Sequence, residues 1–163
     1  MASKRAENRN KLTEALQLGK IHCERMSFAW HKIHNRFPLP PEIYQALEPE
    51  ESSFFDQLIF RFSKLQDCMG GKLFPSLLEN LDEEIREKPF IDILTRLEEL
   101  NILKSKEDWL LLRETRNTVT HEYPFITDEV IEGLNLLNKH YKLILSIWND
   151  FVTYIDKRFQ PET

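Results

Sequence analysis

The sequence predicts an all-α protein, an up-and-down bundle of about five helices with two of them long, in a single helical domain over residues 1–163. Three observations predict it. Apolar stripes with alternating spacings of three and four residues occupy both ends of the chain, which is how one helix face turned to a core reads in sequence. Only four glycines are present and the eight prolines fall mostly in clusters, leaving long stretches free for helix. No segment shows the period-two alternation of a convincing strand, and neither an internal repeat nor a low-complexity tract is present.

The first long helix is expected from about Ala6 to Phe37. Leu12, Leu16, Gly19, Cys23, Met26, Trp30, Ile33 and Phe37 fall on one stripe. The run PLPP, Pro38 to Pro41, ends it, because successive prolines cannot donate backbone hydrogen bonds and disfavour helical continuation. A second helix is expected to start near Ser52 or Ser53, either able to cap it, with Phe55, Leu58, Phe62, Leu65 and Met69 as its buried stripe. Gly70, Gly71 and Pro75 predict a kink or break before a further apolar turn through Leu77 and Leu78. Glu79 to Lys88 is charged and reads as exposed, and Pro89 fits the first turn of a short helix ending near Leu100.

Ser105 with Asp108 three residues on resembles a capping box, opening a helix to about Glu122, where Pro124 disfavours α geometry at Tyr123. Thr127 caps the last helix, with Asp128 and Glu129 at its positive end and Lys157 and Arg158 at its negative end. Val130, Leu134, Leu137, Tyr141, Ile144, Trp148, Phe151, Ile155 and Phe159 form its stripe.

Composition bounds the function. Apolar residues make up 41% and charged residues 30%, an ordinary globular balance. A net charge of −5 argues against a broad nucleic-acid footprint and leaves room for a small local one. Two isolated cysteines, Cys23 and Cys68, argue against a disulfide framework or a zinc site and fit a reducing compartment. The N-terminus lacks the apolar core of a signal peptide and no segment reaches membrane-spanning length, so a cytoplasmic protein without membrane association is expected.

One segment departs from the pattern of core stripes and solvated faces: LLRETRNTVTHEYP, Leu111 to Pro124. On a helical wheel Leu111, Leu112, Thr115 and Val119 gather on the expected core side, and Arg113, Arg116, Asn117, Thr120 and His121 gather opposite. Asn117 and His121 are one turn apart and can hydrogen-bond. Trp109 and Leu110 lie on the polar side, where exposure is unfavourable, which points to a partner, such as a second copy, covering it. A guanidinium offers bidentate donors for phosphate, and imidazole moves protons near neutral pH. Together they can cleave RNA without metal, a base activating the ribose 2′-OH and Arg stabilising charge on the phosphate. The simpler reading of the same arc is a solvated face.

R-N-T-V-T-H-E-Y, Arg116 to Tyr123, resembles the R-x4-H-x-Y signature of HepT-like proteins of the HEPN superfamily, and FRFSKLQD (Phe60 to Asp67) and LFPSLLE (Leu73 to Glu79) are similar to the preceding family context. The resemblance covers about residues 50 to 158. It implies a helical bundle, usually a homodimer through the motif-bearing face, that acts on RNA rather than DNA. The implied activity is that of a toxin of a toxin–antitoxin pair, a metal-independent endoribonuclease without cofactor whose partner is an MNT nucleotidyltransferase-type antitoxin. Arg116 and His121 would then be the catalytic pair. Asn117, Arg113 and Thr120 would bind or support, and Tyr123 would be the hydroxyl that the antitoxin adenylylates.

The segment Asn101 to Ile126 carries Lys104, Lys106, Arg113 and Arg116 against Glu107, Asp108, Glu114 and Glu122, so it is locally neutral and forms no electrostatic funnel for RNA. The alternative reading is a non-catalytic nucleotide- or partner-binding subunit of a small nucleotidyltransferase, and a third is a structural helical protein without ligand. Other signals are weaker. His31 and His34 are spaced for a metal but lack further ligands. His22 and His140 read as packing or surface residues. His121-Glu122 lacks the second His of HExxH, Gly70-Gly71-Lys72 lacks the earlier glycine of a phosphate loop, and Phe54, Phe55, Phe60 and Phe62 read as core.

Overall fold

A computed structural model of the chain describes residues 3–120 and 128–159, and every regular element among them is helical. Helix α1 spans Ser3–Ile33 and tightens into one turn of 3-10 helix, His34–Arg36, so it stops short of the expected Phe37. The cause is the residue-before-proline restriction, which turns Phe37 to an extended conformation ahead of Pro38. A five-residue helix that periodicity did not predict, α2 (Pro41–Gln45), follows with Pro41 in its first turn. Asn135 holds the approach to it. Its side-chain oxygen accepts from the Leu39 N–H at 2.7 Å while its amide donates to the Leu39 carbonyl at 3.2 Å.

Helix α3 spans Pro49–Cys68, starting three residues before the expected serines because Pro49 supplies the first turn and Glu50 and Glu51 sit at its positive end. Gly70-Gly71 does not break it. The backbone widens into one π turn, Met69–Leu73, and runs on as α4 (Phe74–Asn80). Helix α5 covers Phe90–Glu99, one residue after Pro89. Ser105 caps α6 (Lys106–Thr120), its hydroxyl accepting from the Asp108 N–H at 3.2 Å. Helix α7 covers Asp128–Arg158 with the expected acidic first and basic last turns. The expected cap at Thr127 and the end of α6 at Glu122 lie outside the described residues.

Side-chain pairs fix the directions. Gln57 donates to the Arg25 carbonyl, Arg61 meets His22, Cys68 meets the Ala15 carbonyl and Asn80 donates to the Asn8 carbonyl, so α1 and α3–α4 are antiparallel. Asp67–Arg116 sets α6 against α3, and Thr115–His140 sets α7 against α6. The result is an up-down-up-down bundle of α1, α3–α4, α6 and α7, with α2 and α5 in the connections. Its centre is built from Leu12, Met26, Phe55, Phe62, Leu65, Phe74, Trp109 and Phe151, each nearly or fully buried and each worth about 1.5–3 kcal/mol of transfer free energy. Two glycines mark where helices approach most closely. A Cβ on Gly19 would lie 2.3 Å from the Trp148 ring of α7, and one on Gly133 would lie 2.9 Å from the Val119 side chain of α6.

The stripes predicted for α1, α3 and α7 are the stripes that are buried, apart from half-buried Leu16, Trp30, Phe37 and Phe159. Two aromatic expectations are corrected. Phe60 is half-exposed rather than core, while Phe55 and Phe62 are fully buried. Trp109, expected on the open polar side, is only 1% exposed and packs at 4.6 Å on Phe74. No helix among the described residues is long and apolar enough to cross a membrane.

Candidate functional site

The wheel division expected for α6 is rotated in the structure. Leu112, Thr115 and Val119 face the core as expected, but Leu111 is 47% exposed and Trp109 joins the buried side. The reason is that α6 is packed between α3 and α7, so its buried arc includes the side turned to α3. That arc includes the position of Arg116, which lies between Trp109 and Leu112 on the wheel and is therefore half-buried rather than solvated. With Trp109 covered by this chain's own Phe74, it no longer argues for a second copy over the polar arc.

Arg116 is consequently held from one side. Its Nη2 donates to Asp67 Oδ2 of α3 at 3.1 Å, while its Nε is buried and has no hydrogen-bond partner. Beside it opens a cavity of about 380 Å³, lined by Gln66, Asp67, Gly70, Gly71, Phe90, Trp109, Arg113, Arg116 and Asn117. The π turn therefore forms part of its wall, a place where such turns are often found. Gln66, 4% exposed, contributes a second buried donor, Nε2, with no partner. Two unpaired donors in one wall are costly, about 1–3 kcal/mol each, unless an acceptor group serves them.

Arg113, Arg116 and Asn117 are thus brought together at one cavity. Arg113 is exposed with its guanidinium 5.3 Å from the Phe90 ring centroid, and Asn117 is exposed at the rim. Thr120 is near in sequence but its hydroxyl donates to the Arg116 carbonyl at 2.8 Å, a bond within the helix. His121 and Tyr123 lie outside the described residues. On the far side of α6, the buried Thr115 hydroxyl pairs with His140 Nδ1 at 2.9 Å. Burial holds His140 below the usual histidine range, with Asp108 opposing and Lys139 adding to the shift. It therefore serves packing, as its isolation in sequence implied.

A polar cluster that the sequence did not reveal lies across the α1–α3 seam. Arg61 Nη1 donates to His22 Nδ1 at 3.0 Å, which makes that ring nitrogen the acceptor. Burial lowers the affinity of His22 for a proton, and Arg61, Lys64, Lys72 and Arg25 lower it further. Next to them the Phe60 ring is flanked by the guanidinium of Arg61 at 5.1 Å and the ammonium of Lys64 at 5.7 Å. These residues come from helices forty positions apart, so no local motif announces them. His31 and His34 are otherwise engaged. His31 Nδ1 bonds the Ser27 carbonyl and His34 stacks on Trp30 at 4.8 Å. Among the described residues no three His, Cys, Asp or Glu side chains converge as a metal site.

Comparison with protein-family models, with curated proteins and with solved structures returned no significant match.

Proposed function

We propose that the chain is a HEPN-type toxin, a metal-independent endoribonuclease in which Arg116 and His121 act on RNA and Tyr123 is the hydroxyl through which a nucleotidyltransferase-type antitoxin silences it. The observation that carries this reading is the setting of Arg116. A single guanidinium is anchored at one nitrogen by Asp67, keeps a second donor unpaired, and stands at a cavity with Arg113 and Asn117 beside it. Such a group is arranged to hold an anion whose charge grows during reaction, which is what phosphodiester cleavage by the 2′-OH demands. His121, five residues on, supplies the proton-transferring group. In a homodimer through this face, two such motifs would meet, and a nucleotide added to Tyr123 would place negative charge where the RNA phosphate belongs.

The second reading, a non-catalytic nucleotide- or partner-binding subunit, draws on the size of the cavity, which is within the range of small-ligand sites, and on the net charge of −5. The two readings part on one experiment: RNA cleavage by the purified, unmodified protein in EDTA, wild type beside His121→Ala. Cleavage that survives chelation and is lost in the variant supports the ribonuclease. Intact RNA with clean wild-type protein removes it and leaves the binding subunit.

A further inference from the structure

We propose that the outer face of α3 is a binding surface for single-stranded nucleic acid, along which a strand runs from Phe60 to Arg116. The proposal rests on the ribonuclease reading in one respect only: it provides the grip on substrate that the neutral α6 segment lacks.

The face is continuous. Phe60, Lys64, Asp67 and Gly71 are all exposed and follow one another at spacings of four, three and four, so they form one stripe about 16 Å long. Arg61, half-buried on the α1 side of the stripe, brings His22 to its edge, and Asp67 joins the stripe to Arg116 on the α6 side. Cations gather at this end of the stripe: Arg61 bonds His22 at 3.0 Å, Arg61 and Lys64 stand against Phe60, and Arg25 and Lys72 also act on His22. Of the exposed carboxylates on the same line, Asp67 is engaged by Arg116, and Asp56 stands one turn before Phe60, outside the path. In a chain of net charge −5 such a concentration favours a polyanion.

Phe60 determines which polyanion. The ring is half-exposed and has two cations against it, the Arg61 guanidinium at 5.1 Å and the Lys64 ammonium at 5.7 Å from its centroid. An unpaired base on the ring would place its neighbouring phosphates beside Arg61 and Lys64, the pairing of stacking platform and cations used for single strands. A duplex keeps its bases stacked on one another and would leave the ring unused.

The test uses the His121→Ala chain, chosen so that the proposed cleavage does not consume the probe, and a short fluorescent oligouridine in EDTA, read by anisotropy over a salt series. Arg61→Gln combined with Lys64→Gln is expected to weaken binding at least tenfold at low salt. It should also flatten the slope of log affinity against log salt by about 1.4, that is about 0.7 for each of two phosphate contacts. Phe60→Ala should weaken binding about fivefold or more with the slope unchanged. Circular dichroism checks that each variant is folded. Failure of the parent to bind, or unchanged binding by both folded variants, overturns the surface. So does a Phe60→Ala chain that sediments at a lower mass with its RNA affinity intact, which would make this face a contact between copies. Tight binding through these residues by a protein whose wild type leaves RNA intact would sink the ribonuclease and keep the surface.

Discussion

Replacing Arg116 by alanine separates a catalytic guanidinium from a structural one. The ion pair lost joins a side chain one-third exposed to a half-exposed carboxylate, so solvent screening limits it to about 0–1 kcal/mol. The aliphatic stem loses some packing, but the substitution also removes a buried Nε that nothing satisfies. The net stability change should stay near 1 kcal/mol, a fall in Tm of about 2–4 °C for a domain of this size. Cleavage should behave differently. Loss of a charge-stabilising donor from a transition state typically costs about 10²–10³ in rate. The assay pairs RNA cleavage in EDTA with a thermal melt of the same preparation. A folded variant cleaving within about tenfold of wild type would refute the role assigned to Arg116. A fall in Tm beyond about 10 °C would show the Asp67–Arg116 contact to be a structural network instead.

Gly19→Ala forces a methyl to 2.3 Å from the Trp148 ring, so helix propensity worth about 1 kcal/mol is outweighed by overpacking of about 1–3 kcal/mol, and the urea midpoint should fall. Gln66→Met, which removes the unpaired buried amide while keeping volume, should be neutral or raise the midpoint, unless a bound acceptor serves that amide in the purified protein. His22 and His140 both bind protons less readily folded than unfolded, chiefly through burial. The unfolded chain therefore holds more protons below pH 6.5, and stability should fall as pH drops from there. Urea titrations at pH 7.5 and 5.5 should show this, with a smaller difference for His22→Gln; an equal or larger difference in that variant would count against the argument.

The two long helices were legible because their stripes are long and single-faced: Leu12 to Ile33 and Val130 to Ile155 each turn one side to one core. The Ser105 cap was legible because it is local. What depended on neighbours was not. The side of α6 carrying Trp109 and Arg116 reads as polar in sequence and becomes half-buried only because α3 lies over it. Gly70-Gly71 reads as an interruption, yet the chain keeps its helical course there, with Gly70 packed near Trp109 and Phe90. Phe60 lies about 140° round the wheel from Phe55, off the predicted stripe, so its exposure was legible from spacing and only its apolar character suggested a core position. That Arg113, Arg116 and Asn117 share one arc was legible in the sequence; that the arc borders a cavity was not, because Gln66, Gly70, Gly71 and Phe90 complete its wall.

The π turn between α3 and α4 also works as a phase adjuster. Its signature bond, from the Phe74 N–H to the Met69 carbonyl, admits one residue more than an α turn holds. Each residue of an α-helix turns the chain by about 100°. Counted as plain α-helix, that extra residue would carry Phe74, Leu77 and Leu78 about 100° round from the arc of Phe55, Phe62 and Leu65, yet all six are buried in one core. The wider turn absorbs the residue and so keeps the two stripes in register. Deleting Gly71, whose Cβ position meets nothing within 4 Å, would therefore leave a regular α-helix with its stripes still aligned. Inserting a second residue is the change that would swing α4 off the core.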